Sequence, residues 1–390
     1  MSLPPHSSPN RPAARGTLAA AGAMVLFLAW LLLPLTSGRL FRPPGGAAPS
    51  AREAVPRPVR GGRPLSDYLH DFAVYFGKSN WLRPPLVSRY MGFKLHTLHI
   101  SAVSSVVVGQ GGWLFLGQEN ATVNELHFFL GLDLLTEETL ARWQQVLCER
   151  RDWLARRGIA YLLVVSPNKS TVYPEFMPPL YPRHRTTRMD QLAEHLGRHV
   201  GGFPLLDLRP VLRAVKGGRT LYWPTDTHWN DFGKYLAYRE IVRRLAPLAP
   251  ALRPLPEEAF AVQPAVELRH DLEDLLLLPW QAPGPFLSLV PKQPAPLTVE
   301  GDPGNGWVHT RCDSGVLNHV LVVHDSFGDT LKLFLAPHFR ECDWLLDRGH
   351  PFPADMIERV RPRVVIDQIT ERYLEAPPWD NPRQLRQPTL

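Results

Sequence analysis

The sequence has 390 residues, 44% of them hydrophobic and 21% charged, with a formal net charge of +6. That length excludes a disulfide-stapled mini-protein and suggests two or three units, and the composition excludes global disorder. The basic excess is small and scattered, so it does not point to a nucleic-acid partner. Cys148, Cys312 and Cys342 are an odd number without metal-like spacing, and neither a disulfide framework nor a zinc site follows. A Cys312–Cys342 pair and three free thiols both fit.

Residues 1–16 read as a tail. Residues 17–36 are almost wholly apolar and close to the length that crosses a bilayer as a helix, which predicts an N-terminal transmembrane anchor. A cleaved signal peptide is the competing reading. Residues 37–66, rich in Pro, Gly, Ala and Arg, cannot bury enough surface to order themselves and read as a tether. His96 and His99 have i, i+3 spacing, but no further ligand cluster accompanies them, and we expect ordinary histidines and no metal.

The main domain is expected over 67–376, with a tail at 377–390. Thr136 followed by two glutamates starts a helix over 137–157 that Gly158 ends. Residues 159–165 form a short apolar, partly β-branched run, expected as a buried strand ending at Ser166-Pro167. A polar stretch over 189–200, a strand from Phe203, a helix near Val211 and a longer helix over 232–245 follow. The 247–303 stretch, dense in proline, reads as an irregular excursion with an acidic, leucine-rich segment at 271–278. A buried strand over 316–323, a helix from Gly328, a short helix near Met356 and a last strand from Arg363 complete the pattern. Alternating helices and buried strands indicate an α/β domain with a parallel sheet and helices on both faces.

Two segments carry chemistry. In Asp226-Thr-His228-Trp229-Asn230, an aspartate two residues before a histidine orients the imidazole and fixes its tautomer, leaving the other nitrogen as a general base. Read as structure alone, Asp226 and Asn230 cap a helix and His228 packs. In His324-Asp325-Ser326-Phe327-Gly328, a buried strand ends in a serine before a helix, where the crevice of a doubly wound sheet lies. Asp325 and Ser326 are equally suited to cap that helix.

These two segments, with Gly111-Gly-Trp-Leu-Phe-Leu, Pro167-Asn-Lys-Ser-Thr-Val-Tyr-Pro-Glu175 and Glu371-Arg372, resemble in order the SGNH hydrolase-like (flavodoxin-like) domain of alginate O-acetyltransferases. The resemblance implies Ser326 as nucleophile, His228 as general base and Asp226 as its orienting group, without a cofactor. It implies an exported catalytic domain, anchored by the N-terminal helix, that acetylates a cell-envelope or secreted polysaccharide. It also implies a multispanning membrane O-acyltransferase as acetyl supplier. Lys169, Tyr173 and Trp229 are candidate substrate contacts, and Trp113 and Trp223 are further aromatics suited to stacking or packing. The family usually has glycine where this chain has His324, which predicts crowding near the serine. A carbohydrate acetylesterase with the same triad and a non-catalytic glycan-binding or assembly protein are the alternatives.

Overall fold

A computed structural model describes residues 103–378 apart from 121, 266–270, 277–279, 281–282, 303–305 and 347–351, together with Ser101 and a few residues between 67 and 97. The expected anchor at 17–36, the tether at 37–66, His96, His99 and most of the tail lie outside the described residues. Among the described residues, no helix is long and apolar enough to cross a membrane. The chain divides into two compact units, Met1–Phe93 and Lys94–Leu390. The second unit holds the elements and residues described here.

In chain order it contains β1 (Val106–Val108), β2 (Leu114–Leu116), α1 (Glu125–Leu130), α2 (Glu137–Ala155), β3 (Ala160–Ser166), α3 (Lys169–Val172) and α4 (Arg188–His199). Next come β4 (Leu205–Asp207), α5 (Arg209–Val215), α6 (Asp231–Leu245), β5 (Phe260–Pro264), α7 (Asp271–Leu276), β6 (Leu287–Pro291), β7 (Thr298–Asp302) and β8 (Trp307–Arg311). The last are β9 (Val320–His324), α8 (Ser326–Asp329), α9 (Lys332–Leu335), β10 (Glu341–Leu346), α10 (Ala354–Val360) and β11 (Val364–Thr370).

The helix expected at 137–157 is α2, with the Thr136 side chain accepting from the Thr139 N–H and Gly158 following in the left-handed region at φ 69°. The polar stretch at 189–200 is α4. Its N-terminus is a capping box in which Thr187 and Asp190 satisfy each other's backbone N–H groups.

The central sheet has seven strands in the order β4-β3-β11-β9-β10-β8-β7. The first five run parallel, but β8 joins β10 antiparallel and β7 joins β8 antiparallel. The all-parallel expectation is therefore corrected to a mixed sheet. Only a few residues separate β7 from β8, and a connection that short can join only antiparallel strands.

Helices cover both faces, as the alternation along the strands requires. Leu162 and Val164 of β3, Val320 and Val322 of β9, and Val364 and Ile366 of β11 share one core with Ile241 and Val242 of α6. The alternate residues Tyr161, Leu163, Val165, Leu321, Val323 and Val365 share the other with Trp143 and Leu147 of α2, Leu192 of α4 and Ile357 of α10.

The proline-dense stretch is more ordered than expected. It holds the antiparallel pair β5–β6, the helix α7 and strand β7. Pro264 and Pro291 are tolerated because each ends its strand in a peripheral two-stranded ribbon. The strand expected at 316–323 begins four residues later, at Val320.

Candidate functional site

The parallel strands β3, β9 and β11 end at Ser166, His324 and Thr370, and the conspicuous segments of the sequence converge there. Directly after β9, Asp325 caps α8: one carboxylate oxygen accepts from the Phe327 N–H at 2.9 Å and the other from the Thr370 N–H at 2.6 Å. The serine turn is thus pinned to the end of β11. Gln368 of β11 adds a second tie, its Oε1 accepting from the Asp325 N–H at 3.2 Å while its Nε2 donates to Ser166 Oγ. Ser326 opens the first helical turn, where N–H groups lack intrahelical partners. Among the described residues, none accepts from the Ser326 N–H.

The opposing loop enters α6, whose N-cap Asn230 accepts from the N–H groups of Phe232 and Gly233. His228 Nε2 stands 2.9 Å from Ser326 Oγ, and His228 Nδ1 stands 2.7 Å from Asp226 Oδ1. Asp226 also accepts from the His228 N–H at 2.8 Å and from the Asp271 N–H at 3.1 Å. Its carboxyl is buried, which works to raise its pKa, but the hydrogen bonds and charge of His228 hold it well below the usual carboxylate range. An ionised Asp226 is an acceptor only, so Nδ1 carries the proton and Nε2 offers its lone pair to the serine hydroxyl. The three residues expected to act together are therefore in one hydrogen-bonded row.

A second carboxylate, which sequence reasoning did not place here, completes the loop. Asp271 at the start of α7 accepts from the Thr227 N–H at 2.8 Å and from the Thr227 hydroxyl, and its Oδ2 lies 3.6 Å from His228 Nδ1. Burial, reinforced by the charge of Asp226, pushes its pKa up. The only signal was the acidic character of the 271–278 segment. Asp226, His228 and Asp271 stand close enough to share a cation. An ion there would displace the Asp226–His228 contact that orients the ring toward Ser326.

Lys169, Tyr173 and Trp229, the candidate substrate contacts, are each 3% exposed or less, and their polar atoms are engaged within the protein. Lys169 Nζ donates to the carbonyls of Trp223, Pro224 and Asp226 at 3.1, 3.1 and 2.7 Å, clamping the loop from beneath. Burial pulls its pKa down to about 8, against the opposing charges of Asp271, Asp226 and Glu125. Tyr173 Oη accepts from the Leu221 N–H at 2.9 Å. Trp229 Nε1 donates to Thr330 Oγ1 at 3.0 Å, and its ring packs edge-on to Phe327. Trp113 and Trp223 are also buried, and both border a cavity of about 340 Å³ with Phe286.

The remaining segments buttress the same region. The Leu114 N–H of β2 donates to the Pro224 carbonyl at 2.9 Å, and Tyr222 Oη donates to the Pro167 carbonyl at 2.6 Å. Glu371 accepts from the Asn168 N–H at 3.1 Å, and burial raises its carboxyl to about 7 despite the nearby Arg209. The Arg372 guanidinium lies 5.4 Å from the centre of the Phe327 ring.

His324 does not crowd the serine. It is fully buried, its Nδ1 donates to the Asp325 carbonyl at 2.8 Å, and its ring meets Trp344 edge-on. The room comes from Gly328, where an added Cβ would meet His324 Cβ at 2.4 Å and Gln368 Oε1 at 2.5 Å. All three cysteines are free.

Comparison with known proteins agrees with this architecture. The chain is 29% identical over 140 residues to the "Probable alginate O-acetylase AlgJ" of Pseudomonas aeruginosa, covering 35% of this chain and 32% of that protein. It is 24% identical over 155 residues to the protein of that name from Azotobacter vinelandii, covering 39% and 37%. The aligned stretch therefore spans only about a third of those curated relatives. Among solved structures, Bacillus cereus PatB1 with a sulfonyl adduct shares the fold at a TM-score of 0.50 and 12% identity, over 69% of this chain and 97% of that one. A family profile described as "SGNH hydrolase-like domain, acetyltransferase AlgX" matches residues 106–301, which include Asp226 and His228 and end before Ser326. With just over half of its length matched, the chain belongs to the SGNH hydrolase-like acetyltransferase family of AlgX.

Proposed function

We propose that the protein is an O-acetyltransferase that moves an acetyl group from an ester donor to hydroxyls of a cell-envelope or secreted polysaccharide, through an acetyl-Ser326 intermediate. The observation that carries this reading is the row Ser326 Oγ, His228 Nε2, His228 Nδ1, Asp226 Oδ1, with contacts of 2.9 and 2.7 Å. Its position at the carboxyl edge of the parallel strands β3, β11 and β9 supports it.

Ser326 Oγ attacks the acetyl carbonyl as its proton passes to His228 Nε2, forming a tetrahedral oxyanion. The unpartnered Ser326 N–H is suited to stabilise that charge. Collapse expels the donor's alkoxide, which takes the proton from His228 and leaves as an alcohol, with acetyl on Ser326. A sugar hydroxyl then gives its proton to His228 Nε2 and attacks the acetyl-serine. When this second intermediate collapses, the ester forms on the sugar and the proton returns to Ser326 Oγ. Asp226, held ionised, stabilises the imidazolium formed in both half-reactions.

In this reading the catalytic domain is exported and anchored by the N-terminal segment at 17–36. A multispanning membrane O-acyltransferase supplies the acetyl groups. The relatives named as alginate O-acetylases support a polysaccharide acceptor.

Turnover of a chromogenic acetyl ester by the full chain tests the catalytic core. Ser326→Ala and His228→Ala should each reduce it to background. Turnover unchanged in either variant would overturn the assignment, and hydrolysis indifferent to any added glycan would favour an esterase.

A further inference from the structure

At the opposite end of β9 from Ser326, a second group of ligating side chains converges. His309 of β8 and Asp343 of β10 are register partners, and His319 immediately precedes β9. His309 Nδ1 donates to Asp343 Oδ1 at 3.1 Å, and His319 Nε2 donates to Asp343 Oδ2 at 2.6 Å. The ligating atoms of the three residues all lie within 4.8 Å of one another. Strand β9 is five residues long, so at about 3.3 Å per residue the cluster is roughly 17 Å from the serine turn.

Three features distinguish this from an ordinary hydrogen-bonded aspartate. Asp343 is 3% exposed, and a buried carboxylate needs compensating positive charge or several donors. Both of its oxygens face imidazole nitrogens, at 3.1 and 2.6 Å; ligand atoms around a tetrahedral zinc with bonds of about 2.0–2.1 Å stand roughly 3.3 Å apart, so the His309 contact already has that spacing and the His319 contact opens by about 0.7 Å to admit an ion. Outer groups are also present. Trp307 Nε1 donates to Asp343 Oδ1 at 3.0 Å, and Glu341 Oε2 lies 3.6 Å from His319 Nδ1. When His319 Nε2 ligates an ion, its proton moves to Nδ1, where Glu341 is placed to accept it, as in carboxylate–histidine–metal sites. The His309 and His319 side chains remain 17% and 21% exposed, leaving an entry path. Two imidazoles with one carboxylate favour zinc and its neighbours over magnesium.

We propose that His309, His319 and Asp343 bind one divalent transition-metal ion of the zinc class, tying the antiparallel edge strand β8 to β10 and to the entry of β9. The site is separate from the acetyl chemistry. Its failure would leave the proposed function untouched.

The test is calorimetric titration of the chelator-stripped full chain with zinc chloride, beside His309→Gln, His319→Gln and, as a control for the cluster around Asp226, His228→Ala. The expected result is one zinc per chain in wild type and His228→Ala, at least tenfold weaker binding in the two glutamine variants, and no response to magnesium. Zinc should also raise the melting temperature of wild type but not of the glutamine variants. Absence of saturable binding, binding that survives both glutamine substitutions, or binding lost in His228→Ala would overturn the proposal. If a glutamine variant does not fold, titration of wild type with cobalt(II) decides. Intense visible d–d bands of a four- or five-coordinate ion support the site, and the weak bands of an octahedral aqua ion overturn it.

Discussion

Replacing Asp226 by Asn keeps the shape of the side chain and removes its charge. In the wild type Asp226 Oδ1 faces the His228 ring nitrogen at 2.7 Å, while Oδ2 accepts from the Asp271 N–H at 3.1 Å. An amide presents only one oxygen. If that oxygen faces Asp271, the amide NH2 donates to His228 Nδ1, which moves the ring proton to Nε2 and removes the lone pair that Ser326 needs. If it faces His228, the NH2 opposes the Asp271 N–H. In either orientation the imidazolium loses an adjacent negative charge. Two unit charges with centres about 4 Å apart at an effective dielectric constant of about 20 interact by about 4 kcal/mol, which corresponds to about 10³-fold in rate. Steady-state turnover of an acetyl ester should therefore fall by about 10³ in kcat/KM, while thermal unfolding loses only the about 1–3 kcal/mol of one mismatched hydrogen bond. A loss below about tenfold in a folded variant would refute the electrostatic role assigned to Asp226.

Three other outcomes follow from the surroundings of the site. Lys169→Met removes the donor for three carbonyls of the Asp226 loop, and chemical denaturation should show a loss of about 3 kcal/mol, with ester turnover falling alongside. His324→Gly, which restores the residue usual in the family, should lower stability by about 2–4 kcal/mol through the cavity beside Trp344 and should not raise turnover, because His324 does not obstruct Ser326. Glu371, raised by burial from 4.5 to about 7, keeps its proton in the folded chain over a range where the unfolded chain releases it. Stability should therefore decline as pH rises from 4.5 through 7, by up to about 3 kcal/mol. In Glu371→Gln that slope should be absent from denaturation curves measured across the window.

What could be read from the sequence depended on how local its cause was. Asp226 and His228 are two residues apart on one loop, and Ser326 follows a β-branched strand, so spacing and context marked them as candidates, while only the family resemblance separated them from residues that merely cap helices. Helix α2 was legible from Thr136 and Gly158 because caps are local chemistry. Strand β10 was not, since a charged Asp343 interrupts its apolar pattern and is accommodated by Trp307, His309 and His319 from two distant segments. The same long-range dependence hid the roles of Lys169 and Asp271. A lysine after a strand suggests a crevice until the three carbonyls that bury its ammonium are seen. Asp271 lies 45 residues from Asp226 in sequence, within a proline-dense stretch whose strands β5 and β6 form by pairing with each other rather than by local propensity.

The most direct test of the account is intact-protein and peptide mass spectrometry after a brief pulse of acetyl ester, followed by a chase with a polysaccharide fragment bearing free hydroxyls. The account predicts one acetyl group on Ser326 of the wild type, none on Ser326→Ala, and its reappearance as an ester on the glycan during the chase. Acetyl transfer to the glycan by Ser326→Ala at the wild-type rate would contradict it, as would an acetyl-enzyme whose label goes only to water however much glycan is present.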